Sequence, residues 1–290
     1  MYLHWSWFLV AVYGISTRVR GYTSMMWPAL EYLALFGIVL MHEFGHALAC
    51  RQVGGQANQI VLWPLGGVAY VSPPPRPGAT LWSIAAGPLV NVVLAPILTL
   101  LMVVAHTAGW GETMPNGIQF ITALCYINWA LLIFNMLPIY PLDGGQILQS
   151  LLWFVLGRAR SLMVATVIGF IGVAGLIVVA LALHAVWFGI LCVFILLNCW
   201  TGLMHARVLA RVEKLPRRGG FACPSCGQAP ILGPLWRCDK CLNPFDTFET
   251  RANCPHCGAQ FPMTRCPECG RSHSMAEWAG AAPREAPPRL

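Results

Sequence analysis

Apolar residues along the first two hundred positions gather into runs close to the length of a bilayer crossing. At 1.5 Å of rise per residue, about 20 residues cover a hydrocarbon core about 30 Å thick. Six runs fit that length approximately: Tyr2 to Ser16, which is short, Trp27 to Cys50, Thr80 to His106, Gly117 to Leu156, Ser161 to Leu183, and Ala185 to Leu203. The fourth is too long for one crossing and is interrupted by Pro138 and Pro141. Between the second and third runs, the stretch from Gly54 to Gly78 carries Gly66-Gly67 and Pro73-Pro74-Pro75, with apolar residues alternating from Ile60 to Val71. That alternation predicts a hairpin or re-entrant strand at the membrane surface. The expected fold class is an α-helical polytopic membrane protein with about six transmembrane helices and a small re-entrant β hairpin.

Composition supports this and excludes a soluble globular protein. Of the 290 residues, 57% are hydrophobic and 10% are charged, against about 25% charged in ordinary soluble domains. The charge is also uneven. Met1 to Ala206 holds six Arg, no Lys and four acids, whereas Arg207 to Leu290 holds twelve Lys/Arg and seven acids. These patterns divide the chain into a membrane domain at 1–206, a basic linker at 207–220, a cysteine-rich domain at 221–278 and a Pro/Ala-rich, disordered tail at 279–290.

Positive residues set the orientation. With both termini in the cytosol, the inside connections carry Arg51, Arg76, Arg158, Arg160, Arg207, Arg211, Lys214, Arg217 and Arg218, and the outside ones only Arg18 and Arg20. The expected location is the cell (inner) membrane. The first apolar run lacks a charged leading segment and a small-residue cleavage site, so no cleavable signal is expected there.

The strongest chemical signal is His42-Glu43-Phe44-Gly45-His46 in the second run. Residues i and i+4 share a helix face, so His42 and His46 can reach one zinc ion while Glu43 reaches the water beside it. Two histidines and a glutamate are costly in an apolar helix unless they have partners or a function. A catalytic zinc needs a third protein ligand. The other acids in or near the runs are Glu31, about three turns before His42, and Asp143, which follows Pro138 and Pro141 in a stretch that cannot stay helical. An unwound segment at membrane depth is tolerated where it lines a cavity, which favours Asp143.

HEFGH at 42–46 together with N-x-x-P-x-x-P-L-D-G-G at 135–145 resembles the site-2 protease family of intramembrane metalloproteases. Ala86-Gly87-Pro88-Leu89-Val90-Asn91, the opening Leu3 to Phe8 and Gly66-Gly67 are similar to that family more weakly. The resemblance covers roughly residues 1–206. It implies that His42, His46 and Asp143 bind zinc, that Glu43 is the general base, and that the substrate is a transmembrane helix of a partner protein in the bilayer. It also implies that Asn91 and Asn135 lie near the cleft, holding substrate or stabilising an oxyanion; interhelical hydrogen bonding is the competing role. Neither an inserted PDZ domain nor a pair of nucleotide-binding domains is evident, and a cysteine-rich tail stands in their place.

That tail has four C-x-x-C pairs: Cys223/Cys226, Cys238/Cys241, Cys254/Cys257 and Cys266/Cys269, separated by eleven, twelve and eight residues. Eight thiolates make two four-ligand zinc sites in a small double zinc-ribbon β domain, whose stability comes from the metal. Three zinc ions per chain are therefore expected, one catalytic and two structural. Disulfides are disfavoured by the reducing compartment that the orientation assigns to the tail. Spacing does not fix which pair joins which; first with second and third with fourth is the simplest arrangement. His256 and His273 are expected as surface residues. With acids interspersed among the basic residues, a cytosolic protein partner is expected and nucleic acid is not. The remaining four cysteines, Cys50, Cys125, Cys192 and Cys199, read as buried small hydrophobes.

Two other functions stay open from the sequence: a non-catalytic scaffold or adaptor that retains the fold, and a metal transporter. The transporter would need polar groups in both leaflets, and the fifth and sixth runs are almost bare of them.

Overall fold

The computed structural model describes residues 2–3, 5–63, 66–184 and 186–281. The chain forms two compact units, Met1–Leu209 and Ala210–Leu290.

The first unit runs β1 (Tyr2–Leu3), α1 (Ser6–Arg18), α2 (Met26–Gln52), β2 (Gln56–Trp63), β3 (Gly66–Ser72), α3 (Pro77–Thr107), α4 (Trp110–Thr113), α5 (Pro115–Asn135), α6 (Asp143–Leu156), α7 (Arg158–Ala182) and α8 (Val186–Val212), which carries on past the boundary. Among the described residues, five helices are long and apolar enough to cross a membrane: α2, α3, α5, α7 and the Phe188–Val212 part of α8. The first apolar run, expected as a sixth span, gives a helix of 13 residues, about 20 Å long and short of a crossing. The over-long fourth run divides into α5 and α6, because Pro138 and Pro141 supply no amide hydrogen and disfavour helix in the residue before them.

The expected hairpin is β2–β3, antiparallel, with Ile60 opposite Ala69 and Trp63 opposite Gly66. An unforeseen third strand, β1, pairs parallel with β2 through Tyr2–Val61 and Leu3–Leu62. Large apolar side chains stay exposed on the helices, among them Leu100, Ile171, Val178 and Leu197. Water would not tolerate so many, whereas lipid tails are a solvent for them.

Helix α3 packs against α2, α5 and α6, and small residues bring α2 and α3 together. A Cβ on Gly45 would stand 2.6 Å from the Ala86 carbonyl oxygen, and a Cβ on Gly87 would enter the ring of His46. The loop before α6 is held just as closely. Cβ atoms on Gly144 would strike the Met136 and Leu137 carbonyls, and on Gly172 of α7 the Ile139 side chain. Ile139 forms a buried cluster with Val173, Ile195 and Cys199, so α7 and α8 wall in the loop that ends at Asp143.

The second unit contains two minimal hairpins, β4 (Trp236–Arg237) with β5 (Pro244–Phe245) and β6 (Thr264–Arg265) with β7 (Ser272–His273), followed by α9 (Met275–Gly280). Ser274 and Glu277 form a capping box that starts α9. Of the tail expected to be disordered from 279, residues 282–290 lie outside those described, and Ala279 and Gly280 belong to α9. The apolar core is small and aromatic: Phe248 meets Phe221, Trp236 and Trp278 at centroid distances of 5.2, 5.1 and 4.8 Å.

Candidate metal centres

In the membrane unit the i, i+4 spacing on α2 and the start of α6 bring three side chains together. His42 Nε2 and His46 Nε2 are 3.1 Å apart, and Asp143 Oδ2 lies 3.0 Å from the first and 3.5 Å from the second. His42 and His46 are buried, as is Glu43 one residue along the helix. The other ring nitrogens are already committed. His46 Nδ1 faces the Ser83 main-chain carbonyl at 2.9 Å, and His42 Nδ1 faces Asn91 Oδ1 at 2.7 Å. Both oxygens accept, so each neutral ring spends its one proton on Nδ1 and turns a lone pair inward from Nε2.

Two nitrogen lone pairs and a carboxylate oxygen therefore converge with no hydrogen between them, and Asp143 Oδ2 is buried with no hydrogen-bond partner among the described residues. Such a cluster repels itself unless a cation fills it. The spacing suits zinc: ligands at about 2.0–2.1 Å in a tetrahedron lie about 3.3–3.4 Å from one another. These three residues could hold a metal ion, with both imidazoles oriented from behind as metal-binding histidines usually are.

Glu31, the other acid considered as a ligand, is engaged elsewhere. It accepts from Arg18 Nε at 3.0 Å and from the Tyr22 hydroxyl at 2.7 Å. Asn91, expected as a substrate or oxyanion group, is fully buried and has both ends of its amide occupied, by His42 and by Asn128 Oδ1 at 2.8 Å. Asn135 is half-buried at the end of α5, and its side chain makes no hydrogen bond within the described residues. Sequence reasoning missed Ser83 and Asn128. Asn128 carried a signal, an amide in the middle of an apolar helix. Ser83 contributes a main-chain carbonyl, which leaves no mark in the sequence.

In the second unit the eight thiols form two groups, Cys223, Cys226, Cys266 and Cys269, and Cys238, Cys241, Cys254 and Cys257. The pairing is thus nested, first with fourth and second with third, which corrects the simplest sequential arrangement. Contacts across the groups measure 3.6 Å for Cys223–Cys269, 3.8 Å for Cys226–Cys266, 3.5 Å for Cys238–Cys257 and 3.6 Å for Cys241–Cys254. A disulfide would need about 2.05 Å, whereas thiolates on a tetrahedral zinc at about 2.3 Å stand about 3.8 Å apart.

Each C-x-x-C pair is the same tight turn. The amides of Gly227, Leu242, Gly258 and Gly270 donate to the carbonyls of Cys223, Cys238, Cys254 and Cys266 at 2.7–2.9 Å, and all four donors have positive φ. These turns aim main-chain amides at sulfur. The amides of Cys241 and Lys240 hold the Cys238 thiol down to about 7 against burial. The Cys266 thiol and the Gln228 amide hold Cys226 down to about 5.

Known proteins resemble this chain along the membrane unit. The family model for peptidase family M50 matches residues 31–119 and 104–179, just over half of the chain. A zinc metalloprotease of Methanocaldococcus jannaschii is 32% identical over 162 residues, 56% of this chain and 44% of that one. A Synechocystis protein bearing a zinc metalloprotease name is 29% identical over 236 residues, 73% of this chain and 59% of its own length. The chain thus spans about half the length of these curated relatives. Among solved structures, the site-2 protease from M. jannaschii aligns with a TM-score of 0.51 at 25% identity, covering 69% of this chain and 89% of that one. With the two matched segments running from Glu31 in α2 through α7, across His42, His46 and Asp143, the chain belongs to peptidase family M50, the site-2 protease family.

Proposed function

We propose that this protein is a zinc endopeptidase that hydrolyses a peptide bond within or near a transmembrane helix of another membrane protein. The observation that carries the reading is the buried convergence of His42 Nε2, His46 Nε2 and Asp143 Oδ2 with no donor among them. In this reading His42, His46 and Asp143 hold the zinc, and Glu43 is the general base. Zinc, when bound, supplies a Lewis acid that polarises the scissile carbonyl and activates water. Glu43 takes the proton of the attacking water and returns it to the leaving amine. Burial of Glu43 keeps bulk water from competing for that proton. Asn135, at the end of α5, holds the unwound substrate backbone.

A substrate helix has its amides bonded internally and must unwind before it can be cut, so residues of low helix propensity lower the cost of entry. Both termini lie in the cytosol, in the cell (inner) membrane. Residues 221–278 form a double zinc ribbon, held by two structural zinc ions, that engages a cytosolic protein or regulates the enzyme itself.

The test uses the full chain in liposomes with zinc and a series of single-span peptides bearing Gly or Pro at successive positions. Cleavage inside the span, strongest beside the helix breaker and absent with Glu43→Gln, is expected. A zinc-loaded protein that cuts none of the series would favour the scaffold reading.

A further inference from the structure

We propose that Asn128 on α5 is a positioning residue that dictates, through Asn91, which nitrogen of His42 faces the metal site; this rests on the zinc reading of that site. The order of bonds is fixed from one end. Asn128 Nδ2 lies 3.0 Å from the main-chain carbonyl oxygen of Asn91. That oxygen can only accept, so the nitrogen of the Asn128 amide must point at it. The Asn128 oxygen then points at the Asn91 side chain, and accepts from Nδ2 at 2.8 Å. With its nitrogen so engaged, Asn91 presents Oδ1 to His42 Nδ1 at 2.7 Å. The His42 proton must sit on Nδ1, and Nε2 carries a lone pair toward His46 and Asp143.

Every member is buried, with Asn91 and Asn128 fully so, and among the described residues no alternative set of partners competes for the amides. Without Asn128, nothing distinguishes the two ends of the Asn91 amide. Its Nδ2 can turn to His42, Nδ1 must then accept, and the proton moves to Nε2, where it points into the site and opposes a cation. His46 needs no such device, because its partner is the Ser83 carbonyl and cannot be reversed.

The competing role for Asn128 is a plain hydrogen-bonded link between α3 and α5, and two variants separate the roles. Asn128→Leu removes both bonds. Asn128→Asp keeps an oxygen that accepts from Asn91 Nδ2 and, as the neutral acid, a hydroxyl that donates to the Asn91 carbonyl, so it preserves the order of the relay. Zinc affinity is measured on the full chain in detergent against a metal buffer, with His42→Ala identifying which ion belongs to this site. The expected result is a loss of about 10- to 100-fold at that site for Asn128→Leu, the usual scale for an outer partner of a ligand. Asn128→Asp stays near wild type, and the cysteine sites do not change. Nitrogen-15 shifts of the zinc-loaded wild type should show His42 protonated on Nδ1 and not on Nε2, a readout that needs no variant to fold.

Unchanged affinity in Asn128→Leu, equal weakness in Asn128→Asp, or a proton on Nε2 in the wild type would each overturn the inference. A wild type with no zinc that depends on His42 overturns the zinc reading and this inference with it.

Discussion

Gly87 matters for what it lacks, because the ring of His46 occupies the space that its Cβ would need. Gly87→Ala must push α3 from α2 or turn the ring away. Either costs about 1–3 kcal/mol as overpacking and removes the membrane ion, so zinc per chain drops from the three expected sites to two. In the ribbons, Leu242 sits at the position that is Gly in the other three turns, with φ of 60° and an exposed side chain. The left-handed region costs a residue with a Cβ about 1–2 kcal/mol, of which glycine's extra freedom when unfolded returns a part. Leu242→Gly is therefore expected to raise ribbon stability by about 0.5–1 kcal/mol, read by thermal unfolding with zinc present.

Asp246 makes a stronger case, since its carboxylate accepts from the Phe248 and Gly233 amides and from Arg218 at 2.7 Å. Burial pushes this carboxyl up, but those donors outweigh it and hold it below the usual carboxylate range. A lowered folded value stabilises the fold at neutral pH. That contribution is full above about pH 4, the unfolded value, and fades as pH falls through the lower folded one. Asp246→Ala should cost about 2–3 kcal/mol at pH 7 and noticeably less in acid. Residues of this kind were only partly legible. A ligand type at helical spacing announces His42 and His46, whereas Asp246 reads as one acid among several until the chain folds around it.

At the scale of elements, the reading was strongest where periodicity or proline acts locally. The span at α2, the hairpin β2–β3 and the break after Asn135 all follow from neighbours in sequence. It was weakest where closure is long-range. Cysteine spacing is equally compatible with sequential and nested pairing, and what selects nesting is the aromatic core of Phe221, Trp236, Phe248 and Trp278, which brings the ends of the unit together. The pairing is testable by counting zinc. Cys223→Ser and the double variant Cys223→Ser/Cys266→Ser should each lose the same single ion, whereas Cys223→Ser/Cys254→Ser should lose two. Sequential pairing would cost two ions in both double variants, so loss of two ions from Cys223→Ser/Cys266→Ser would contradict nesting.

For the whole molecule, the awkward fact in the sequence was Arg18 on the side that should carry few positive charges. Glu31 answers it with a two-pronged ion pair. Burial and the Glu31 carboxylate push the Tyr22 phenol up, so it stays protonated and donates to the same carboxylate. Arg18 then weighs little against the nine charges expected on the cytosolic side. Glu31→Gln should lower stability by about 1–2 kcal/mol and leave zinc content unchanged, since Glu31 is no ligand; loss of an ion would contradict this.

The central claim is proteolysis at a buried zinc site, and the most direct measurement compares membrane-protein fragments by mass spectrometry in cells expressing the wild type and Glu43→Gln at equal levels. The account predicts fragments that end inside transmembrane segments and appear only when Glu43 is present. Identical fragment sets, with both proteins folded and zinc-loaded, would contradict it.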